Sequence, residues 1–247
     1  MAEWFQTFFG GLYGQVLAHQ FDDKANLVQA RLVKQLLHVR KGSKVLDIPC
    51  GMGRLVIPLA RMGLVMTGVD LSEGYIRRAR REAREKRVEA RFVCCDMRDI
   101  NFCEEFDSAI NWFTSIGYFR GNGDQTFCRR VFQALKPGGQ FLVETLNKSY
   151  LLAHFRPRFE NTIGGVHLVN EVRWDPHSQR TETTWVLSKG NRTERHRVSI
   201  RLYGGAEMRR LLRSSGFGEI QLFGYPPLGR LTRHSKRLIA VAHRPRR

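Results

Sequence analysis

Over its first 150 residues the chain alternates two hydrophobic rhythms, and a third replaces them afterwards. In "ANLVQARLVKQLLHV" (25–39) apolar residues recur at Leu27, Ala30, Leu32 or Val33, Leu36 and Leu37, the spacing of an amphipathic helix. Short apolar runs without that period follow: "KVLDI" (44–48), "LVMTGVD" (64–70), "ARFVCCD" (90–96), "FDSAINWF" (106–113) and "GQFLVETL" (139–146). Each predicts a strand buried on both faces. Between them, "RLVIPLARMG" (54–63) predicts a helix closing at Gly63, with Pro58 tolerated near the first turn. A basic helix to about Arg87 starts at Ser72, a residue type that caps helix N-termini, and 124–139 supplies a further helix stopped by Pro137 and two glycines. Strands separated by helices predict an α/β fold, a Rossmann-like doubly wound parallel sheet with helices on both faces.

From 162 to 203 the period becomes two, with turn signals at Asp175-Pro176 and Gly190-Asn191. That predicts a three-stranded antiparallel insert. "AEMRRLLRSSGF" (206–217) returns to helix, followed by strands at 219–224 and 237–243. The 247 residues are expected to form a single domain, 1–247, with a helical N-terminal segment over 1–40 and the insert within 147–203.

Composition narrows the class. Hydrophobic residues at 42% and aromatics at 11% argue against disorder. No apolar run approaches the roughly 20 residues of a membrane helix. The N-terminus "MAEWFQTFFGGLYGQVLAHQF" has no basic lead and carries Glu3, unlike a signal peptide, so a cytoplasmic location is expected. Five cysteines with no CxxC pair fit neither a disulfide framework nor a zinc site, and no metal is expected. The net charge of +18, from 41 basic residues of which 32 are arginine, is enough to attract a polyanion. It is scattered, however, and the densest run, "RRARREAREKR" (77–87), interleaves Glu82 and Glu85 as a solvated helix face does.

The candidate chemistry sits where the first strand meets a glycine turn, "KVLDIPCGMGRLVIPLA" (44–60). In open α/β sheets ligands bind at the carboxyl ends of the strands, and glycines let the backbone approach them. Gly51 and Gly53 suit that role, but a dinucleotide fingerprint wants a small residue where Val56 stands. Asp47 decides against a phosphate guest, because two like charges 4 Å apart repel by about 4 kcal/mol at an effective dielectric of 20. A cationic ligand reverses the sign. Asp70, ending the second strand, is placed to accept from ribose hydroxyls, and Asp96, ending the third, from an exocyclic amino group beside Met97. Each aspartate also has a plain alternative, as a helix-approach residue, a helix cap or a turn former respectively.

Three acids on successive strand ends match an adenosyl ligand with an amino-acid tail. With "VLDIPCGMGR", "VMTGVDLSEGYIRRAR", "VCCDMRDI", "FDSAINWFTSIGYF" and "LKPGG" in that order, the chain resembles the class I S-adenosylmethionine-dependent methyltransferases. It is most similar to a bacterial subgroup with a "WFxxFF…LYG" N-terminus, a "TSxGYF" segment, "ETLN" and a late "RLYxxxE". The resemblance runs over almost the whole chain. It implies a seven-stranded sheet with an antiparallel last strand and S-adenosyl-L-methionine as cofactor. By position it implies that Asp47, Gly51, Gly53 and Arg54 meet the methionine part, Asp70 and Leu71 the ribose, and Asp96 and Met97 the adenine. Asn111 and Phe113 would line the sulfonium end, with Tyr13 closing over it. Pro49 and Asn111 depart from the usual pattern.

Methyl transfer is an in-line displacement that needs positioning more than a dedicated base. The acceptor is expected between the N-terminal aromatics, the "FTSIGYF" loop and the insert, with Tyr118, His154 and Arg156 as candidate contacts. The insert resembles the lid of small-molecule methyltransferases, which implies transfer to a nitrogen or oxygen of a small acceptor. The basic surface keeps an RNA methyltransferase as the alternative, and a cofactor-binding scaffold without catalysis is a third reading.

Overall fold

The computed structural model describes residues 3–246. Its elements run α1 (Phe5–Phe8), α2 (Gly11–Gln20), α3 (Asp23–Leu36), β1 (Lys44–Asp47), α4 (Val56–Arg61), β2 (Val65–Asp70), α5 (Glu73–Glu85), β3 (Arg91–Cys94), β4 (Phe106–Asn111), α6 (Gly123–Ala134) and β5 (Leu135–Leu146). Then come α7 (Lys148–Ala153), β6 (Arg158–Ile163), β7 (Val166–Asp175), β8 (Arg180–Lys189), β9 (Arg192–Arg201), α8 (Gly205–Ser214), β10 (Ile220–Tyr225), β11 (Gly229–Arg230) and β12 (Arg237–His243). Among the described residues no helix is long and apolar enough to cross a membrane.

The main sheet has the order β11-β10-β12-β5-β4-β1-β2-β3. Strands β1 to β5 pair in parallel, and β12 runs antiparallel to both β5 and β10. Seven full strands with an antiparallel last one is the architecture expected from the sequence, extended here by the two-residue β11 at the edge. One face is covered by α6 and α8 through Phe127, Val131, Met208 and Leu212, the other by α3, α4 and α5 through Val33, Leu59, Ile76 and Ala79. The basic helix α5 buries Ile76, Ala79 and Ala83 and turns its charges outward in i,i+4 pairs such as Arg77–Glu73 at 2.8 Å. Such exposed pairs add little stability. The Ser72 side chain caps α5 by accepting from the Tyr75 N–H, 3.3 Å away.

Two expectations need correction. Helix α6 stops at Ala134, because Leu135 is already extended and pairs with Phe106. Lys136 precedes Pro137, whose ring keeps that residue out of the helical region. The insert has four strands, in the order β6-β7-β8-β9. Strand β6 was hidden because its residues are nearly all exposed and show no apolar alternation. It pairs with β7 through the tight turn at Gly164 and Gly165, both at positive φ, a conformation glycine adopts without steric cost.

Two polar anchors tie this second sheet to the main one. Leu12 and Val16 of α2 pack on Val166, Leu168 and Leu187. Arg180, at the start of β8, is buried and has no carboxylate partner of its own; its guanidinium donates to the carbonyls of Gly117, Tyr118, Phe119 and Ser199, at 2.8 to 3.1 Å, and to the Ser199 hydroxyl at 2.6 Å. Asp124 accepts from the Gly117 N–H and from the Tyr203 hydroxyl, so the 117–119 loop is held from both sides. Removing the guanidinium leaves buried carbonyls without donors. Arg180→Ala should therefore lower the unfolding free energy by about 1.5–3 kcal/mol in urea titrations, the range for hydrogen bonds to charged groups. A loss below about 0.5 kcal/mol, the range of ordinary surface substitutions, would show that the anchor is dispensable.

Candidate active site

Strand β1 lies between β2 and β4, so its last residue opens at the centre of the sheet's carboxyl edge, with Asp47 level with Gly68 and Ile110. The chain then turns through Gly51 (φ +54°) and Gly53 (φ +85°) into α4. A side chain added at Gly51 would meet nothing within 4 Å, so this residue faces open space, and its N–H donates to Asp70 Oδ2 at 2.8 Å. Gly53 differs. A Cβ there would press on Ala79 and Ile57 at 3.3 Å, which makes its role helix packing.

The open space is a cavity of about 640 Å³. Of the residues singled out by sequence, Tyr13, Asp47, Gly51, Arg54, Asp70, Leu71, Asp96, Met97, Phe113 and Tyr118 line it. Four do not. Gly53 borders a separate groove between α3, α4 and α5. Asn111 is wholly buried, its amide donating to the Ile48 carbonyl at 2.7 Å, because the side chain at the end of β4 turns into the sheet. His154 ends α7 with its ring stacked on Tyr150 at 4.1 Å, and Arg156 is exposed in the following loop.

The acids differ in their surroundings. Asp47 is 2% exposed and its carboxylate has no hydrogen-bond donor among the described residues. Burial pushes its pKa from the ordinary 3.8 up to about 8, with Arg54 pulling it down and Asp70 pushing it further up. Arg54 is itself pinned between Gln29 (2.7 Å) and Asn26 (3.3 Å), and its guanidinium sits 4.3 Å from the ring centre of Phe21. Asp70 is also raised by burial, against the N–H groups of Ser72 and Gly51. For Asp96 burial acts in the same direction, but Arg98, donating to it at 2.7, 2.8 and 3.1 Å, prevails and keeps the carboxyl below its usual range.

Sequence reasoning missed the device that shapes the loop after β4. Phe113 (φ 71°) and Thr114 (φ 59°) both sit in the left-handed region, which costs non-glycine residues of order 1–3 kcal/mol each. Glu144 of β5 accepts from the Phe113 N–H at 2.8 Å, and Arg237 of β12 holds Glu144 by two hydrogen bonds while donating to Thr114 Oγ1 at 2.7 Å. Trp4, Phe9, Tyr75 and Trp185 complete the wall. No local motif marks Arg237; only the antiparallel insertion of β12 beside β5 brings it there.

Residues 45–139, the segment carrying the glycine turn and the three acids, match the family model described as "Methyltransferase domain". That segment thus matches a methyltransferase domain, and the fold around it is one that solved S-adenosylmethionine-dependent methyltransferases share. The putative methyltransferase YqeM of Bacillus subtilis (strain 168) is 29% identical to this chain over 153 residues, 60% of the chain and 58% of the relative. The ubiquinone biosynthesis O-methyltransferase of Bradyrhizobium sp. (strain ORS 278) is 31% identical over 145 residues, 57% and 51% respectively. The chain thus spans just over half the length of the curated relatives it matches. A solved S-adenosylmethionine-dependent methyltransferase from Clostridium acetobutylicum ATCC 824 shares the fold at 16% identity, with a TM-score of 0.76 over 95% of this chain and 96% of that one.

The Asp47 shift has a measurable sign. Between pH 3.8 and about 8 the folded, ligand-free protein keeps a proton on Asp47 that the unfolded chain has released. Its contribution to stability therefore falls as pH rises through that window. Urea denaturation of wild type and Asp47→Asn should show the variant gaining relative to wild type between pH 5 and pH 8. A difference independent of pH would mean that Asp47 does not titrate there.

Proposed function

We propose that this chain transfers a methyl group from S-adenosyl-L-methionine to a nitrogen or oxygen of a small acceptor. The observation that carries the reading is the buried, donorless carboxylate of Asp47 facing the cavity beside the open backbone of Gly51. Buried acids are almost always hydrogen-bonded, so one aimed into a ligand-sized cavity calls for a donor or a positive charge from the ligand. The residues fit the cofactor on that ground. Asp47, Gly51 and Arg54 would hold the amino-acid tail, Asp47 meeting its ammonium and Arg54 its carboxylate. Asp70 has both oxygens on backbone N–H groups, at 2.8 and 2.9 Å, and keeps a lone pair on each for a ribose. Asp96 keeps one acceptor site beyond its three bonds from Arg98, and Met97 with Leu71 would pack on the nucleoside. Phe113 would border the sulfonium end.

The bound cofactor supplies a methyl carbon activated by a positive sulfur. The protein's part is to place a nucleophile in line with it and exclude water. In this reading residues 1–40 act as a cap and 147–203 as a lid, since α1, α2, β8 and β9 contribute Phe5, Tyr13, Trp185 and Val198 to the cavity wall. A small acceptor is supported by the two cations at the cavity among the described residues, neither of which is left for a polyanion: Arg237 is committed to Glu144, and Arg54 is taken up by Asn26, Gln29 and, in this reading, the carboxylate of the cofactor. The name of the Bradyrhizobium relative, an O-methyltransferase of ubiquinone biosynthesis, agrees with it.

Two binding measurements test the reading. Asp70→Ala should weaken S-adenosyl-L-methionine by about 1–3 kcal/mol in isothermal titration, the cost of leaving buried hydroxyls unpaired. Unchanged affinity would remove Asp70 from the ribose. Asp47→Asn should harm S-adenosyl-L-methionine more than 5′-methylthioadenosine, which lacks the ammonium, and only the first ligand should release a proton from wild type at pH 7. Equal losses for the two ligands would refute the charge assignment.

A further inference from the structure

The walls of the cavity are chemically unlike. Every carboxylate that lines it, Asp47, Asp70, Glu73 and Asp96, comes from the strand-end side between residues 47 and 96. The opposite side is made of rings. Trp4 lies edge-on to Tyr118 with centroids 4.7 Å apart, Phe9 stacks with Tyr118 at 5.9 Å, Phe8 stacks with Tyr13 at 4.1 Å, and Tyr13 meets Trp185 edge-on at 5.3 Å. Among the described residues this side offers no carboxylate, lysine or histidine to the cavity. The nearest pair, His196 and Glu194, lie 3.5 Å apart outside the lining, with Glu194 engaged by Arg192 and the Leu12 N–H. Arg237 borders the space but is spent on Glu144 and Thr114.

Two polar groups on the ring side lack partners. Among the described residues the buried indole N–H of Trp4 has no hydrogen-bond partner, and the Tyr13 hydroxyl has none either. An indole nitrogen can only donate. An unpaired buried donor is costly, so a ligand that reaches this nitrogen gains by bringing an acceptor lone pair to it.

Granted the methyl-transfer reading above, on which this step rests, we propose that the acceptor is a flat aromatic or heteroaromatic molecule whose reacting oxygen or ring nitrogen enters with a free lone pair, uncharged or anionic, and that aliphatic ammonium acceptors are excluded. Stacked and edge-on rings favour a planar guest by about 0.5–1.5 kcal/mol per ring pair. An ammonium could gain a similar amount over a ring face, but this wall offers it no anion, and it has no lone pair until it loses a proton. The wall holds nothing suited to take that proton near neutrality: burial pushes Tyr13 up to about 12 and Tyr118 higher still. In the transfer the acceptor's lone pair forms the new bond to the methyl carbon as the carbon–sulfur bond breaks, its electron pair staying on sulfur. A phenolic oxygen on a ring electron-poor enough to ionise near neutrality has already yielded its proton to solvent; an imine-type ring nitrogen has none to yield.

The test is isothermal titration of the protein saturated with S-adenosylhomocysteine, using 4-hydroxyquinoline and cyclohexylmethylamine as probes of similar size. The aromatic probe should bind at least tenfold more tightly than the amine at pH 7. Trp4→Phe, which keeps the ring and removes the N–H, should weaken the aromatic probe about fivefold, and Trp185→Leu should weaken it through lost stacking. S-adenosylhomocysteine affinity is measured on each variant to confirm that it is folded. Equal or tighter binding of the amine overturns the inference, and so does failure of the aromatic probe to bind the loaded protein. Failure of S-adenosylhomocysteine itself to bind overturns instead the methyl-transfer reading.

Discussion

An acid buried at the carboxyl edge of a parallel sheet, beside a cavity and without a hydrogen-bond donor among the described residues, is the constraint around which the site is arranged. Asp47 could be satisfied inside the protein by turning Arg54 fully onto it, yet Arg54 is held by Asn26 and Gln29 and stacked on Phe21. The guanidinium acts on Asp47 through space, without a hydrogen bond. Coulombic attraction at such range is worth a few kcal/mol at most, too little to offset the desolvation of a fully buried carboxylate. The site therefore stands partly charged and short of one donor, the condition in which a cationic ligand gains most from binding. Preorganised mismatch of this kind stores in the empty protein part of the free energy that a ligand recovers.

The remainder of the fold holds the two ends of the cavity in register. At the sheet edge, Glu144 and Arg237 come from β5 and β12, adjacent antiparallel strands, and together fix Phe113 and Thr114 in strained backbone. On the far side Arg180 draws the carbonyls of 117–119 toward the second sheet, which aims Tyr118 back into the space that Phe113 borders. One loop, 112–119, is thus tied to the core at its start and to the insert at its end. Movement of the insert would be felt at Tyr118 before it reached the acids.

The strands, the glycine turn and the three acids were legible because each depends on a local rule. Buried parallel strands leave continuous apolar runs, and a carboxylate at a strand end is visible as the residue where the run stops. Ser72 was read as a cap from residue type and position alone. What could not be read was direction and long-range company. Gly51 and Gly53 look equivalent in sequence, yet one faces the cavity and the other packs on α5. Asn111 follows an apolar run much as Asp47 does, and its side chain turns into the sheet. His154 and Arg156 lie near the insert in sequence but outside the cavity in space, and strand β6 has no apolar alternation to announce it. Arg237 and Trp4 meet the same cavity from opposite ends of the chain, a contact that no spacing encodes.

The contrast between the two walls also bears on the +18 charge. A surplus of arginine suggests a polyanionic partner, but many arginines are already committed within the protein: Arg54, Arg98, Arg180, Arg237 and Arg244 each bond to buried or half-buried carbonyls, amides or carboxylates. Arginine serves this use because its planar fork presents several donors with fixed geometry and stays charged when desolvated. Part of what reads as a basic surface in the composition is internal scaffolding, and on α5 the exposed remainder is interleaved with glutamates. The selective electrostatics lie within the cavity, negative where three strands end and uncharged where the rings close over it.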